Sequence, residues 1–457
     1  MRRATFLTER LADMQSWRSG LLRQIERVGT FLRDHRFLTD ETAAALDRAE
    51  QAVKGLRLTI AFVAEAGRGK TELINALFFA GGGRRLLPAG PGRTTRCVTE
   101  IRFDRGVQTS VRLLPIETRE NPMRLDDLLA DDAHWRVIPF DADNPDSTQR
   151  ALAALSEAKR ISFADAVALG LHAEGVAVPA DETQSTMVDV PRWRYAVINF
   201  PHPLLDSGLV IIDTPGLAAF TSEPELARQR VPSADAILML LDANKPVGKA
   251  DLAIWRDHLG AGSGPQRTAA SASAESTPTR LVVLNKIDLL QTPGDAVPDS
   301  TRMLMQQIDE RTRLTAELLR IDPIRVIAIS ARLGIAGRLA GEPDSDIRSR
   351  LYLLERALSE GLPTRRQDAL TATLSPILED ALESAQQMLD DDRFETLERL
   401  RELTQLRAKN EKLGASIGSQ TTLRQDRLDA ALKELRSVRN VHAKLGDQLS
   451  SLANVEL

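Results

Sequence analysis

Four short polar stretches each follow an apolar run, and their order constrains everything between them. Leu58-Thr59-Ile60-Ala61-Phe62-Val63 leads into Ala64-Glu65-Ala66-Gly67-Arg68-Gly69-Lys70-Thr71, and Leu209-Val210-Ile211-Ile212 into Asp213-Thr214-Pro215-Gly216. Arg280-Leu281-Val282-Val283-Leu284 leads into Asn285-Lys286-Ile287-Asp288, and Arg325-Val326-Ile327-Ala328-Ile329 into Ser330-Ala331. Short apolar runs rich in β-branched residues read as strands buried on both faces, the pattern of parallel sheets covered by helices. After the first loop, Leu73, Ile74, Ala76 and Leu77 fall at helical spacing. The predicted fold class is therefore α/β, a mostly parallel sheet flanked by helices.

Each stretch supplies a different piece of chemistry. The small residues of Ala64–Thr71 let backbone N–H groups close around phosphate oxygens, and the following helix start favours negative charge. Lys70 would reach the β- and γ-phosphates and the Thr71 hydroxyl would bind Mg²⁺. Ala64 stands where the usual pattern has Gly, a small enough replacement. Asp213, at a strand end, suits Mg²⁺ through water, and Gly216 lets the backbone approach the γ-phosphate. A carboxylate only accepts hydrogen bonds, so Asp288 matches the adjacent N–H and NH₂ donors of guanine, a pair adenine lacks. Asn285 would tie the base loop to the phosphate loop, the Lys286 stem would cover the base, and a backbone amide at Ser330-Ala331 would meet the guanine oxygen. The expected ligands are GTP or GDP with Mg²⁺, in the domain of a P-loop GTPase.

Leu86-Leu87-Pro88-Ala89-Gly90-Pro91-Gly92-Arg93-Thr94-Thr95-Arg96-Cys97-Val98-Thr99-Glu100-Ile101 resembles the first switch of the dynamin superfamily, especially its bacterial members. Val197-Ile198-Asn199-Phe200-Pro201 and Asp235-Ala236-Ile237-Leu238-Met239-Leu240-Leu241-Asp242-Ala243-Asn244-Lys245-Pro246 extend the likeness over about residues 56–362. The long stretch from Thr95 to Asp213, where a small GTPase has only a short hairpin, agrees with it. The resemblance makes Thr95 the switch threonine, completing Mg²⁺ coordination and holding the attacking water through its backbone; Thr94 is the alternative register. Leu217 stands where small signalling GTPases carry a water-orienting Gln. Dynamins often carry a polar pair where this chain has Ala66-Gly67, which puts fast hydrolysis in doubt. Arg68 is either an arginine finger, in cis or across a dimer, or a solvated side chain near phosphate.

At 457 residues the chain exceeds one ordinary domain. Its 60 basic and 64 acidic residues leave no overall pull toward nucleic acid or anionic lipid. Cys97 is the single cysteine, so an intrachain disulfide is excluded and a reducing, cytoplasmic setting fits. The start lacks a signal peptide's apolar run, no stretch is apolar enough to span a membrane, and the six His residues show no zinc spacing.

Leu7, Leu11, Met14, Leu21, Ile25, Val28 and Leu32 follow a heptad-like pattern, and a second helix is expected from Thr39 to Leu56. Phe394, Leu397, Leu400 and Leu406 predict a helix, Leu428 to Leu452 another, and Gly414 and Gly418 a turn between them. The expected organisation is an N-terminal helical segment (1–55), a GTPase domain (56–362) with an insertion at about 104–190 and a loop at about 260–279, and a C-terminal helical segment (363–457). A short helix is expected at Ser147–Lys159. The two terminal segments would form a bundle that resembles a dynamin neck or stalk, or else a helical cap with no mechanical role. It lacks an aromatic or basic tip, so either the stalk continues beyond Leu457 or membrane activity is missing. Three functional readings are open. One is a self-associating dynamin-like GTPase, as homodimer, higher assembly or pair with a sister GTPase, peripheral at a membrane surface. The second is a slow switch or scaffold. The third is an Era-like RNA-associated GTPase, against which the charge balance speaks; no specific nucleic acid is expected.

Overall fold

A computed structural model describes residues 6–80, 85–87, 96–171, 187–215, 230–259, 279–290, 300–342 and 345–453. Among these, the chain clusters into two units, one of residues up to Phe31 with Ala43–Glu379, the other of Leu32–Thr42 with Asp380 onward.

The first unit holds one sheet that contains, among the described residues, nine strands in the order β11-β10-β9-β1-β8-β2-β7-β3-β4. They are β1 (Leu58–Ala64), β2 (Val98–Arg102), β3 (Ser110–Pro115), β4 (Arg136–Pro139), β7 (Trp193–Asn199), β8 (Leu209–Asp213), β9 (Ala236–Asp242), β10 (Thr279–Asn285) and β11 (Val326–Ala328). β11, β10, β9, β1 and β8 run parallel, and β2 pairs antiparallel with β8 and parallel with β7. β3 and β4 complete an antiparallel edge. β8 and β9 are buried throughout, as apolar, β-branched strands covered on both faces must be. A separate hairpin pairs β5 (Ala158–Ser162) with β6 (Met187–Pro191).

The region expected to be an insertion is thus partly sheet: β3 and β4 extend the main sheet rather than standing apart. The helix expected at Ser147–Lys159 instead runs Pro145–Ala153, followed by a 3₁₀ turn at Ala154–Ser156. Asn144 sets the start, its side chain accepting from the Asp146 and Ser147 N–H groups ahead of Pro145. Lys159 lies in β5, opposite Val190.

Helices Phe6–Asp34 and Asp40–Lys54 precede the sheet, and Leu351–Ala453 follows it. Leu7, Leu11 and Met14 share one apolar core with one face of the sheet and with Leu351, Leu354, Leu358 and Leu362. The fold class is that expected: an α/β sheet domain with helical segments from both ends of the chain. Arg338, on the Ala331–Ala340 helix, fastens this packing. Its guanidinium reaches Ala76 O at 2.6 Å, Asp346 at 2.9 Å and Glu355 at 2.6 Å. Burial pushes the Glu355 carboxyl up, against the pull of Arg338. Removing one partner of such a buried pair costs about 3–5 kcal/mol.

In the second unit, Leu32, Thr42, Ala381 and Ala385 are buried. The turn expected at Gly414 and Gly418 is absent: the helix passes through both without a break. Each mid-helix Gly costs about 1 kcal/mol relative to Ala. With helix-forming sequence on both sides and no proline between, that cost does not stop the helix. Of the loop expected at about 260–279, residues 260–278 lie outside the described residues and Thr279 begins β10. No helix among the described residues is long and apolar enough to cross a membrane.

Candidate functional site

β1 lies between β8 and β9, so the crevice at the carboxyl ends of these parallel strands is the natural ligand position in an open α/β sheet. Ala64 ends β1, and Glu65, Ala66, Gly67, Arg68 and Gly69 form the loop. Lys70 starts a helix that continues as a π turn to Phe79. Gly69 has φ +87°, and a Cβ there would sit 2.5 Å from Asn285 Nδ2. The residue must therefore be glycine for two reasons, handedness and close approach. Lys70 Nζ stands 3.3 Å from Asp213 Oδ1 at the end of β8. Thr71, one residue on, is half-buried. Thr214 ties the turn after β8 to β1, its hydroxyl donating to Phe62 O at 2.7 Å.

Asn285 joins three of the four predicted stretches. Its Nδ2 donates to Arg68 O at 2.8 Å, and its Oδ1 accepts from the Ala331 N–H at 3.0 Å. Ser330 Oγ donates to Asp288 at 2.6 Å while accepting from the Leu333 N–H at 3.1 Å. Asp288 also pairs with the exposed Arg332 at 3.1 Å. Lys286 adopts a left-handed backbone, φ +71°, and its Nζ meets Asp242 at 2.9 Å. Burial opposes the charge on Asp242, but Lys286 and the Asn244 N–H outweigh it and hold the carboxyl below its ordinary range.

Arg68 is buried rather than solvated. It pairs with Glu65 at 2.6 Å and with Asp251 at 3.2 Å. Burial raises the Asp251 carboxyl, against the Gly248 N–H and Arg68. Thr94, Thr95, Gly216 and Leu217 lie outside the described residues.

Three participants were missed in the sequence. Asp242 closes β9 in the Asp242-Ala243-Asn244 stretch, a polar strand end that is itself a signal. Arg332 follows Ser330-Ala331 directly. Asp251, on the amphipathic Lys249–Ile254 helix, carries no local signal.

The oxygen donors Asp213 and Thr71 beside a lysine suit a hard divalent cation with an anionic ligand. The carboxylate of Asp288, held by Ser330, suits a planar ligand that presents paired donors.

Among solved structures, two of an oligomerised bacterial dynamin pair, reported as a mechanism for long-range sensing and tethering of membranes, are similar to this chain. One is 16% identical with a TM-score of 0.45, covering 97% of this chain and 68% of its own. The other is 15% identical at a TM-score of 0.46, with 88% and 54% covered. LeoA, a bacterial dynamin GTPase from ETEC, is 13% identical at a TM-score of 0.39, with 82% and 48% covered. This chain thus spans between about half and two thirds of those chains' length. No curated protein matches the sequence. Residues 60–260, which carry the phosphate loop and Asp213, match the model of the Dynamin family. The likeness to the Dynamin family thus lies in the part of the chain that holds the phosphate loop.

Proposed function

We propose that this chain binds GTP with Mg²⁺ and hydrolyses it, and that contact between GTPase domains couples turnover to movement of its helical segment. The observation that carries this reading is the double role of Asn285, which links the phosphate loop at Arg68 O to the base side at Ala331 N. A nucleotide that bridges the two ends meets a frame already assembled, so little ordering is left to oppose binding.

In this reading Lys70 leaves Asp213 for the phosphates, and Asp213 and Thr71, with Thr95, hold the cation. Mg²⁺, when bound, neutralises charge on the β- and γ-phosphates. Asp288 exchanges Arg332 for the guanine donors, while the Lys286 stem, fixed by Asp242, covers the base. The loop from Ala64 to Gly69 wraps the phosphates, and Gly216 approaches the γ-phosphate. Domain divisions at about residues 55 and 362 and a peripheral membrane position in the cytoplasm belong to the same proposal.

A second reading, a slow switch or scaffold, draws on Ala66 and Gly67. Both are exposed in the loop and neither offers a polar side chain to position water.

Competition binding with a fluorescent guanine nucleotide tests the base assignment. GTP should displace it and ATP should not. Asp288→Asn should weaken GTP by about 10–100-fold, as leaving buried donors unpaired costs roughly 1–3 kcal/mol each, and xanthine nucleotides should gain. Equal displacement by ATP, or unchanged selectivity in the variant, would reject the guanine pocket.

A further inference from the structure

Four arginines converge at the end of the sheet opposite the phosphate loop. Arg280 lies near the start of β10 and Arg325 just ahead of β11, whereas Asn285 and Ser330 stand at the other ends of these strands. Five residues at about 3.3 Å each put roughly 17 Å between Arg280 and Asn285. Arg256 comes from the Trp255–Leu259 turn, and Arg320 directly follows the Ser300–Leu319 helix. Together they line a cavity of about 850 Å³, within the range of small-molecule sites. Asp322 is the one carboxylate among the described lining residues, and its Oδ1 already accepts from the Ile324 N–H at 2.9 Å. Four guanidiniums against one carboxylate leave three positive charges.

None of the four guanidiniums has an ion-pair or hydrogen-bond partner among the described residues. Buried arginines elsewhere do find carboxylates, as Arg338 does with Asp346 and Glu355, and Arg68 with Asp251. Arg280 is half-buried, and its Nε is wholly buried with no acceptor. Burial first, and then the like charge of Arg325, disfavour its charged form. A buried donor without an acceptor costs stability that an incoming acceptor restores. Arg320 ends its helix at φ +56°, where glycine is at ease and a side chain is strained. Part of the wall is apolar. Trp255 is fixed there, its Nε1 donating to Leu319 O at 3.2 Å, and Leu318 and Ile324 are 50% and 81% exposed.

We propose that this cavity is a second anion site, which takes a small organic group carrying two phosphates. All four cations are arginines, whose planar forks match phosphate oxygens two at a time. A phosphate monoester carries about −1.5 to −2 near pH 7, so two of them balance the three unpaired positive charges and one does not. Leu318, Ile324 and the Trp255 side of the cavity are left for the body that joins the phosphates. A free bisphosphate and a lipid headgroup with two phosphates share this chemistry. The inference does not depend on the nucleotide chemistry, since the cavity lies at the opposite ends of the strands.

The test is calorimetric titration of the full chain with pyrophosphate and with fructose 1,6-bisphosphate, repeated on Lys70→Ala because pyrophosphate also suits a phosphate loop. Binding should persist in Lys70→Ala and weaken about tenfold or more in Arg325→Ala, an exposed position. Arg280→Met should weaken it as much, yet melt no lower than the wild type without ligand, since the guanidinium removed has no partner. Arg302 lies eighteen residues before Arg320, about 27 Å at helical rise and beyond a Debye length. Arg302→Ala should therefore leave the affinity unchanged. Vesicles containing cardiolipin separate the two sources: if they bind and fructose 1,6-bisphosphate displaces them, the group is a lipid headgroup, and if they do not bind, it is a soluble ligand. Four results overturn the proposal. They are no binding of either probe, binding lost only in Lys70→Ala, equal weakening in Arg302→Ala and Arg325→Ala, and tighter binding of a poly-glutamate peptide than of both phosphorylated probes.

Discussion

Arg68 and Asp251 stand 183 residues apart in sequence yet form a buried pair, with Nη2 of the guanidinium 3.2 Å from the carboxylate. The pair is incompletely satisfied. Arg68 Nε and Asp251 Oδ1 are buried with no hydrogen-bond partner among the described residues. Glu65, in the phosphate loop itself, shares the same guanidinium at 2.6 Å. Arg68, a residue of the phosphate loop, is thus held by Glu65 of that loop and by Asp251 of the Lys249–Ile254 helix.

Asp251→Asn should release that hold. If Arg68 serves the γ-phosphate, basal GTP turnover rises several-fold, while stability falls by about 1–3 kcal/mol as a buried charge loses its partner. Single-turnover kinetics and thermal melting read the two effects separately. Unchanged turnover with lower stability would make the pair purely structural.

Gly69→Ala places a methyl group 2.5 Å from Asn285 Nδ2 on a backbone at φ +87°. Left-handed backbone costs a non-glycine residue about 1–2 kcal/mol before the clash is counted. The expected result is a displaced Asn285 side chain and at least about tenfold weaker nucleotide binding, since the two loops part. Fluorescent nucleotide titration measures it, and wild-type affinity would show that the two loops need not touch.

Asp242 gives a pH signature. Its carboxyl is depressed in the folded protein: burial opposes the charge, but Lys286 and the Asn244 N–H prevail. Its contribution to stability is therefore full above the unfolded value of about 3.9 and is lost as pH falls through the lower, folded one. Thermal melting should find Asp242→Asn less stable than the wild type at pH 6, with the gap closing in the acid range below pH 4. A gap that stays constant across that range would exclude the charge on Asp242 as its cause.

The strand-ending motifs could be read from the sequence because each needs only local information. A buried apolar run ends, small or polar residues follow, and the chemistry of Lys70, Asp213, Asn285 and Asp288 is written in their residue types. Pairings between distant segments were not legible. Nothing in the Lys249–Ile254 helix marks Asp251 as the neighbour of Arg68, since that contact exists only once β1 and β9 lie side by side. β4 is four residues long and mostly exposed at the edge of the sheet, which relaxes the alternation that identifies a strand. Gly414 and Gly418 misled for a different reason. Glycine lowers the stability of a helix, but a turn also needs a partner for the reversed segment to pack on.

The most direct measurement is the rate of GTP hydrolysis per molecule as a function of protein concentration, with Lys70→Ala as the blank. A self-associating dynamin-family GTPase predicts a specific rate that rises with concentration and vanishes in the blank. A chain that neither binds nor turns over GTP, or whose rate survives loss of Lys70, would contradict the account.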